Sequence, residues 1–213
     1  MRSTIIKISA FLFAMSVMQP VAANSDCAWP DSGTLEAILP IATDHGSHAS
    51  GIVFSQNRVL TAAHALAGAD QVFVKVSNDF RLARVLILDQ HSDLAVLSID
   101  TENIEPVRMT LKEPIDRQAV WAVGFPRAQG KTTSRGEFQR NRHGALHTSA
   151  GIDSGQSGGG LLICEEGSYQ LLGMLRGYGA YLSGDRYVKL ENHSVSVAAA
   201  TIHAFVTPVT DNN

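Results

Sequence analysis

Short apolar runs recur along the chain with turn residues between them, a pattern typical of a β-rich protein. Few segments show the spacing of an amphipathic helix. The pattern predicts strands at 37–42, 49–54, 59–60, 71–76, 81–88, 94–99, 119–124, 136–139, 145–148, 159–164, 170–175 and 186–190. A polar connector at 101–116 divides them into two halves, and the Ala-rich segment 195–206 is predicted to be a helix.

Two groups of about six strands suit a pair of antiparallel barrels packed together, because closing a sheet removes its exposed edges. We therefore expect an all-β fold of two packed six-stranded antiparallel β-barrels with a C-terminal helix. The first barrel is expected at about 35–100 and the second at about 117–192. Segment 127–142 carries five basic residues and one acidic residue, and we interpret it as a mobile, solvated loop. Binding of an acidic partner by this loop is the alternative.

Residues 1–23 have the three parts of a secretory signal peptide. Arg2 and Lys7 give a positive start, an apolar core follows at 8–18, and Val21-Ala22-Ala23 places small residues at the cleavage site. The apolar core is shorter than the roughly 20 residues that cross a bilayer, so a membrane anchor is the weaker interpretation. We expect cleavage after Ala23, export to the periplasm or the medium, and no membrane anchor afterwards.

Removing 23 of the 213 residues leaves 190, a length that fits one domain over 24–213. Arg2 and Lys7 are lost with the signal, which leaves 15 Lys and Arg against 20 Asp and Glu. This acidic balance argues against a nucleic-acid-binding protein. We expect no cofactor and no nucleic-acid partner.

Cys27 and Cys164 are the two cysteines of the chain. An exported protein meets an oxidising environment in which two such thiols commonly pair, and we expect a disulfide between them. Two free buried thiols are the alternative, since the sequence does not show how close their Cα atoms come.

Hydrolysis of an amide by serine needs a hydroxyl nucleophile, a neutral imidazole that takes its proton and a carboxylate that orients the imidazole. His64 follows the strand-ending segment 59–63, Asp93 precedes the apolar segment 94–97, and Ser157 lies in the glycine-rich segment 153–160. Glycines so close to one serine indicate a tightly turned backbone. We predict that these three residues are the base, the orienting acid and the nucleophile.

The blocks Thr61-Ala62-Ala63-His64, Asp93-Leu94-Ala95 and Gly155-Gln156-Ser157-Gly158-Gly159 resemble the signature blocks of the chymotrypsin/trypsin superfamily of serine proteases, in that family's order. The resemblance implies a double β-barrel with the catalytic residues in the cleft between the barrels. It also implies a serine endopeptidase that acts on a protein or peptide substrate through an acyl-enzyme intermediate. By the same resemblance, the backbone N–H groups of Gly155 and Ser157 form the oxyanion hole.

Gln156 departs from the pattern of digestive trypsins, which have an aspartate here that binds a newly freed N-terminus. We therefore do not expect activation of that kind. The compact loops, the scarcity of cysteine and this amide side chain are more similar to bacterial HtrA-type proteases and glutamyl endopeptidases. We expect no PDZ domain, which HtrA proteins have, because the chain leaves no sequence for one.

The family's primary specificity pocket corresponds to 148–152 and 175–178. Gly151 falls where trypsins hold the aspartate that selects Lys or Arg, which argues against trypsin-like cleavage. Leu175 replaces a histidine of glutamyl endopeptidases, and Arg176 either attracts an acidic side chain or points to solvent. The candidate substrate-binding residues are Thr148, Gly151, Ile152, Leu175, Arg176 and Gly177.

Two other functions are compatible with the same residues: a catalytically silent protein that binds a partner in the cleft, and an esterase. The complete set of catalytic residues favours an active endopeptidase. We predict no metal site, because His45 and His48 lie three residues apart without further ligands in a plausible frame. The sequence gives no prediction of the oligomeric state.

Overall fold

The structure of the protein is a computed structural model that describes residues 27–210, with side chains through 208. The predicted signal peptide, 1–23, lies outside the described residues. No helix within the described residues is long and apolar enough to cross a membrane. The elements before the connector are α1 (Ser32–Glu36), β1 (Ile38–Thr43), β2 (His48–Ser55), β3 (Arg58–Ala62), β4 (Val72–Val76), β5 (Asp79–Asp89) and β6 (Leu94–Ser98). Those after it are β7 (Ala119–Gly124), β8 (Thr132–Arg142), β9 (Ala145–Thr148), β10 (Gly160–Glu165), β11 (Ser168–Ser183), β12 (Arg186–Ala198) and α2 (Ala199–Thr210).

The first six strands close into an antiparallel barrel in the order β1-β2-β3-β6-β5-β4. Pairing of Ile41 with Val74 closes it. In β4 the valines alternate with partly exposed residues, as expected of a strand with one face in a core. The strand β6 is almost wholly buried, so its apolar run reads as continuous.

The last six strands close into a second antiparallel barrel, β10-β11-β12-β9-β8-β7, through pairing of Gly160 with Val123. Leu162 and Met174 of this barrel belong to the same buried cluster as Ile38 and Ile52 of the first. The two barrels therefore share a continuous core, and the predicted fold class is confirmed.

Two expected elements differ from the structure. The segment interpreted as a loop at 127–142 contains β8, which pairs with both β7 and β9 and extends the predicted strand 136–139 at both ends. Only Phe138 of this strand is buried, so its polar outer residues concealed its full length. The C-terminal helix begins at Ala199 and not at Val195, because residues 195–198 complete β12 and pair with β9 or β11.

Strands β11 and β12 also run well beyond the predicted 170–175 and 186–190. They form a long hairpin whose outer part carries exposed apolar and aromatic side chains, among them Tyr181, Leu182 and Tyr187. The base of this hairpin borders the cleft between the barrels, which contains the candidate site.

Candidate active site

His64 lies where β3 passes into a short 3-10 helix, Ala63–Leu66. The small side chains of Ala62 and Ala63 are buried, so the backbone turns close to the start of β6. The N–H of His64 donates to Oδ1 of Asp93 at 2.9 Å. The imidazole is 51% exposed and lines the cleft. The base is thus fixed through its backbone while its ring faces the cleft.

Asp93 directly precedes β6, and the register that pairs Ala62 with Leu94 places it beside His64. Its backbone has a left-handed φ of 60°, which aspartate adopts more readily than most residues. Its side chain is 6% exposed, and Oδ2 lies 2.8 Å from Nδ1 of His64. The structure therefore brings the predicted acid and the predicted base into direct contact.

The carboxylate of Asp93 stays ionised at neutral pH. Burial on its own would raise its pKa, but hydrogen bonds from His64 and charge interactions with His64 and Arg176 outweigh burial, so the pKa lies below its ordinary value. An ionised carboxylate only accepts hydrogen bonds, so Nδ1 of the neutral imidazole carries the proton and Nε2 is the acceptor. This is the tautomer that a general base needs.

The loop around Ser157 needs glycine on both sides of the serine. Gly155 and Gly158 have φ values of 93° and 83°, in the left-handed region. A Cβ on Gly158 would overlap the carbonyl oxygen of Ser50 and the hydroxyl of Thr61. The second barrel therefore presents Ser157 by packing its backbone directly against the first barrel.

The hydroxyl of Ser157 faces the cleft that His64 lines. It donates a hydrogen bond to the carbonyl oxygen of Arg176 at 3.1 Å. Among the described residues, no hydrogen bond joins Ser157 to His64. In proteins without a bound substrate, catalytic hydrogen bonds are often long or misaligned and shorten only in the complex.

A tight turn precedes Ser157, the predicted nucleophile. The N–H of Gln156 donates to the carbonyl oxygen of Asp153 at 3.1 Å. The positive φ of Gly155, the third residue of this turn, identifies a type II turn. Within residues 27–210, the backbone N–H groups of Gly155 and Ser157 donate to no other group. They are free to bind an oxyanion in the cleft.

Ser50 holds this turn in place, a contact that the sequence reasoning missed. Its hydroxyl donates to the carbonyl oxygen of Gly155 and accepts from the N–H of Phe125, each at 2.9 Å. Its own N–H donates to the carbonyl oxygen of Ser157 at 2.9 Å. One fully buried serine of β2 thus ties the first barrel to the nucleophile loop.

Ion pairs also stabilise the turn that precedes Ser157. Asp153 pairs with Nη2 of Arg127 at 2.6 Å and with Nζ of Lys189 at 3.6 Å. Burial would raise the pKa of Asp153, but a backbone hydrogen bond from Ser154 and the charges of Lys189 and Arg127 lower it overall. The buried amide oxygen of Gln156 accepts from the N–H of Asp153 at 2.7 Å.

Three predicted substrate-binding residues, Ile152, Arg176 and Gly177, line the cleft. Thr148 and Leu175 do not, because both are fully buried. The hydroxyl of Thr148 is paired with Ser194, while Leu175 packs in the core of the second barrel. These two side chains therefore pack inside the second barrel and do not face the cleft.

Gly151, the remaining predicted substrate-binding residue, is not among the residues that line the cleft. A Cβ there would come within 2.9 Å of the carbonyl oxygen of Glu191, so the backbone of β12 packs closely against it. Ile152, the next residue, is 3% exposed.

Arg176 contacts the predicted acid. Its Nε donates to Oδ2 of Asp93 at 3.1 Å, and its side chain is 50% exposed at the cleft. The sequence left two alternatives for this side chain, an acidic ligand or solvent, and neither foresaw a contact with Asp93.

The disulfide between Cys27 and Cys164 is present, with Cα atoms 5.9 Å apart. It ties the first described residue to β10. No group of three or more His, Cys, Asp or Glu side chains with metal-binding geometry occurs within residues 27–210.

Comparison with known proteins identifies the family of the chain. The model of the trypsin-like peptidase domain matches residues 49–174, which is more than half of the chain. The chain belongs to the trypsin-like peptidase family. This trypsin-like peptidase is 33% identical over 135 residues to Protease Do-like 4, mitochondrial, of Arabidopsis thaliana, covering 55% of the chain and 26% of that relative. It is 32% identical over 130 residues to serine endoprotease DegS of Haemophilus influenzae, covering 53% of the chain and 37% of that relative.

A third relative is the probable periplasmic serine endoprotease DegP-like of Hahella chejuensis, 31% identical over 131 residues, with 56% of the chain and 28% of the relative covered. The trypsin-like peptidase thus spans well under half the length of these relatives. Among solved structures, a serine endoprotease from Yersinia pestis matches with a TM-score of 0.72 and 22% identity, covering 86% of this chain and 68% of that one. The likeness in structure confirms the fold.

Proposed function

We propose that the chain is an exported serine endopeptidase that hydrolyses peptide bonds through an acyl-enzyme intermediate. The observation that carries the proposal is the arrangement of the cleft. A hydrogen-bonded pair of His64 and Asp93 faces the same cleft as Ser157, and two free backbone N–H groups flank the serine hydroxyl. These are the groups that acyl transfer by serine requires.

In the proposed reaction, Oγ of Ser157 attacks the carbonyl carbon of the scissile bond while Nε2 of His64 takes the hydroxyl proton. Asp93 stabilises the imidazolium that forms. The N–H groups of Gly155 and Ser157 bind the oxyanion. Transfer of the proton from His64 to the amine breaks the C–N bond, and a water activated by His64 then hydrolyses the ester.

In this scheme, the hydrogen bond from the hydroxyl of Ser157 to the carbonyl oxygen of Arg176 breaks when substrate binds. The hydroxyl turns towards Nε2 of His64 when a substrate carbonyl occupies the cleft. The carbonyl oxygen of Arg176 then accepts a hydrogen bond from the backbone of the substrate, which lies alongside β11 as in recognition by strand addition.

Export is part of the proposal. It is supported by the signal-like sequence of 1–23 and by the disulfide between Cys27 and Cys164, which forms in oxidising compartments. The similarity to the probable periplasmic serine endoprotease DegP-like of Hahella chejuensis is consistent with the same location. Protein or peptide substrates are the expected partners.

Cleavage of an unfolded protein tests the proposal. We expect the mature protein to digest reduced, alkylated casein, and Ser157→Ala or His64→Ala to lower the rate by on the order of 10⁴-fold or more. His91→Ala changes an exposed histidine two residues from Asp93 and should leave the rate unchanged. Circular dichroism checks that each variant folds. Undiminished cleavage by folded Ser157→Ala would refute the assignment.

A further inference from the structure

Arg176 occupies a bulge of β11 in the cleft wall. The register between β11 and β12 shifts between Leu175 and Gly177, so Arg176 is an extra residue in the pairing. Bulges of this kind re-aim a side chain. Here the side chain runs along the cleft that His64 and Ser157 also line, and half of it is exposed.

Only one side of the guanidinium is occupied. Its Nε is held by Asp93, whereas Nη1 and Nη2 have no hydrogen bond or ion pair with any residue that the structure describes. A guanidinium has five N–H donors in a fixed plane. Four of them are thus available to a second anionic group, and the bond to Asp93 already fixes their orientation.

The charges around the cleft favour such an anion. Among the described residues that line the cleft, Asp153 has the one carboxylate, and Arg127 and Lys189 both pair with it. Asp93 lies behind the imidazole and is almost inaccessible. In the accessible part of the cleft, the guanidinium of Arg176 therefore has no unpaired carboxylate next to it that would compete with an anionic ligand.

We infer that Arg176 is a specificity-determining residue that selects substrates with an Asp or Glu side chain next to the scissile bond, on its amino-terminal side. This inference rests on the proposed peptidase function. The terminal nitrogens of Arg176 bind the substrate carboxylate, while its Nε keeps its bond to Asp93. Arginine suits both tasks because its planar fork binds two carboxylates with separate edges, which a lysine ammonium does not.

The position of Arg176 supports the same selection. Its carbonyl oxygen accepts the hydrogen bond from the hydroxyl of Ser157, so the residue lies directly beside the proposed nucleophile. A substrate side chain next to the scissile bond therefore lies close to Arg176.

Matched peptides measure the selection. Fluorogenic peptides that differ only by Glu against Gln, or Asp against Asn, at each of the three positions before the cut are compared by kcat/KM. We expect the wild type to prefer the acidic peptide about tenfold at one position adjacent to the cut, since charge-assisted hydrogen bonds are stronger than neutral ones. The preference should weaken as NaCl is raised from about 0.05 to about 0.5 M.

Variants assign the preference to the side chain. Arg176→Ala should bring the acidic-to-amide ratio close to one, and Arg176→Lys should keep part of it. Arg84→Ala, which removes an exposed arginine of β5, should keep the wild-type ratio. A ratio is used because loss of the bond to Asp93 also lowers the rate on every peptide.

Binding provides a readout without turnover. In the Ser157→Ala background, the Glu peptide should bind more tightly than the Gln peptide by fluorescence anisotropy, and added Arg176→Ala should remove the difference. Equal rates and equal binding of the paired peptides, or a preference that survives Arg176→Ala, would overturn the inference. Failure of a neutral fluorophosphonate to label Ser157 would instead overturn the peptidase function, and this inference with it.

Discussion

Ser50 shows how one buried polar side chain orders a candidate active site. The hydroxyl bridges the N–H of Phe125 and the carbonyl oxygen of Gly155, two groups on separate loops of the second barrel. A buried backbone group that loses its partner costs about 1–3 kcal/mol. The orientation of the turn that carries Gly155 therefore depends on this hydroxyl.

We predict that Ser50→Ala lowers both stability and reactivity. Urea unfolding should show a loss of about 1–3 kcal/mol, because two backbone groups are left without a partner. Labelling of Ser157 by a fluorophosphonate should slow by about tenfold, less than the roughly 10²–10³-fold cost of removing an oxyanion-hole donor, because both N–H groups remain and only their orientation is disturbed. Ser183→Ala, at the exposed end of β11, serves as the control. Equal labelling rates for wild type and Ser50→Ala would contradict this role.

At this scale the sequence predicted His64, Asp93 and Ser157 because each lies in a short block with local meaning. It did not predict Ser50, whose partner Gly155 is 105 residues away in the chain. The contact of Arg176 with Asp93 spans 83 residues and depends on a bulge that no local pattern shows. Local motifs thus predicted the candidate reacting groups, but long-range contacts fix the positions of those groups.

Neighbouring strands bring two histidines together outside the cleft. His147 of β9 and His193 of β12 lie with Nδ1 of the first 3.3 Å from Nε2 of the second. Burial lowers the pKa of His147, aided by the charges of Arg140, His193 and Arg142, and burial and Arg140 lower that of His193. Both imidazoles therefore take up protons less readily in the folded state than in the unfolded chain.

This pair makes stability depend on pH. At pH values between the lowered pKa values of the folded state and the ordinary histidine pKa of about 6.5, the unfolded state binds more protons than the folded state. The contribution of this pair to stability is therefore fully present above about pH 6.5 and decreases as the pH falls below about 6.5. We predict that the urea midpoint of the wild type falls between about pH 7.5 and 5, and that the double variant His147→Gln/His193→Gln falls less. The exposed His91→Gln should keep the wild-type slope. Equal slopes for wild type and the double variant would contradict the prediction.

The strand boundaries predicted from the sequence agree best with those of the structure where one face of the strand is apolar. In β8 the sequence predicted only 136–139, because the rest of the strand is formed by pairing with β7 and β9 and its side chains are nearly all polar. At 195–198 the small and β-branched residues suited helix or strand alike, and pairing of Val197 with Ala145 in β9 decided for the strand. Tertiary pairing thus overrode local propensity in both places.

In the whole molecule, each barrel contributes different groups to the candidate active site. The first barrel holds the proposed acid and base, and the second holds the proposed nucleophile, the free N–H groups and Arg176. The shared core and Ser50 join the two halves, while the disulfide holds the N-terminal segment to β10. The proposed activity therefore requires the two barrels to be docked as the structure shows.

The most direct test of the account is covalent labelling of the purified mature protein with a fluorophosphonate, with the modified peptide identified by mass spectrometry. The account predicts one adduct, on Ser157, whose formation slows by on the order of 10⁴-fold in His64→Ala and Asp93→Asn. A well-folded wild type that stays unlabelled, or an adduct that forms equally well without His64, would contradict it.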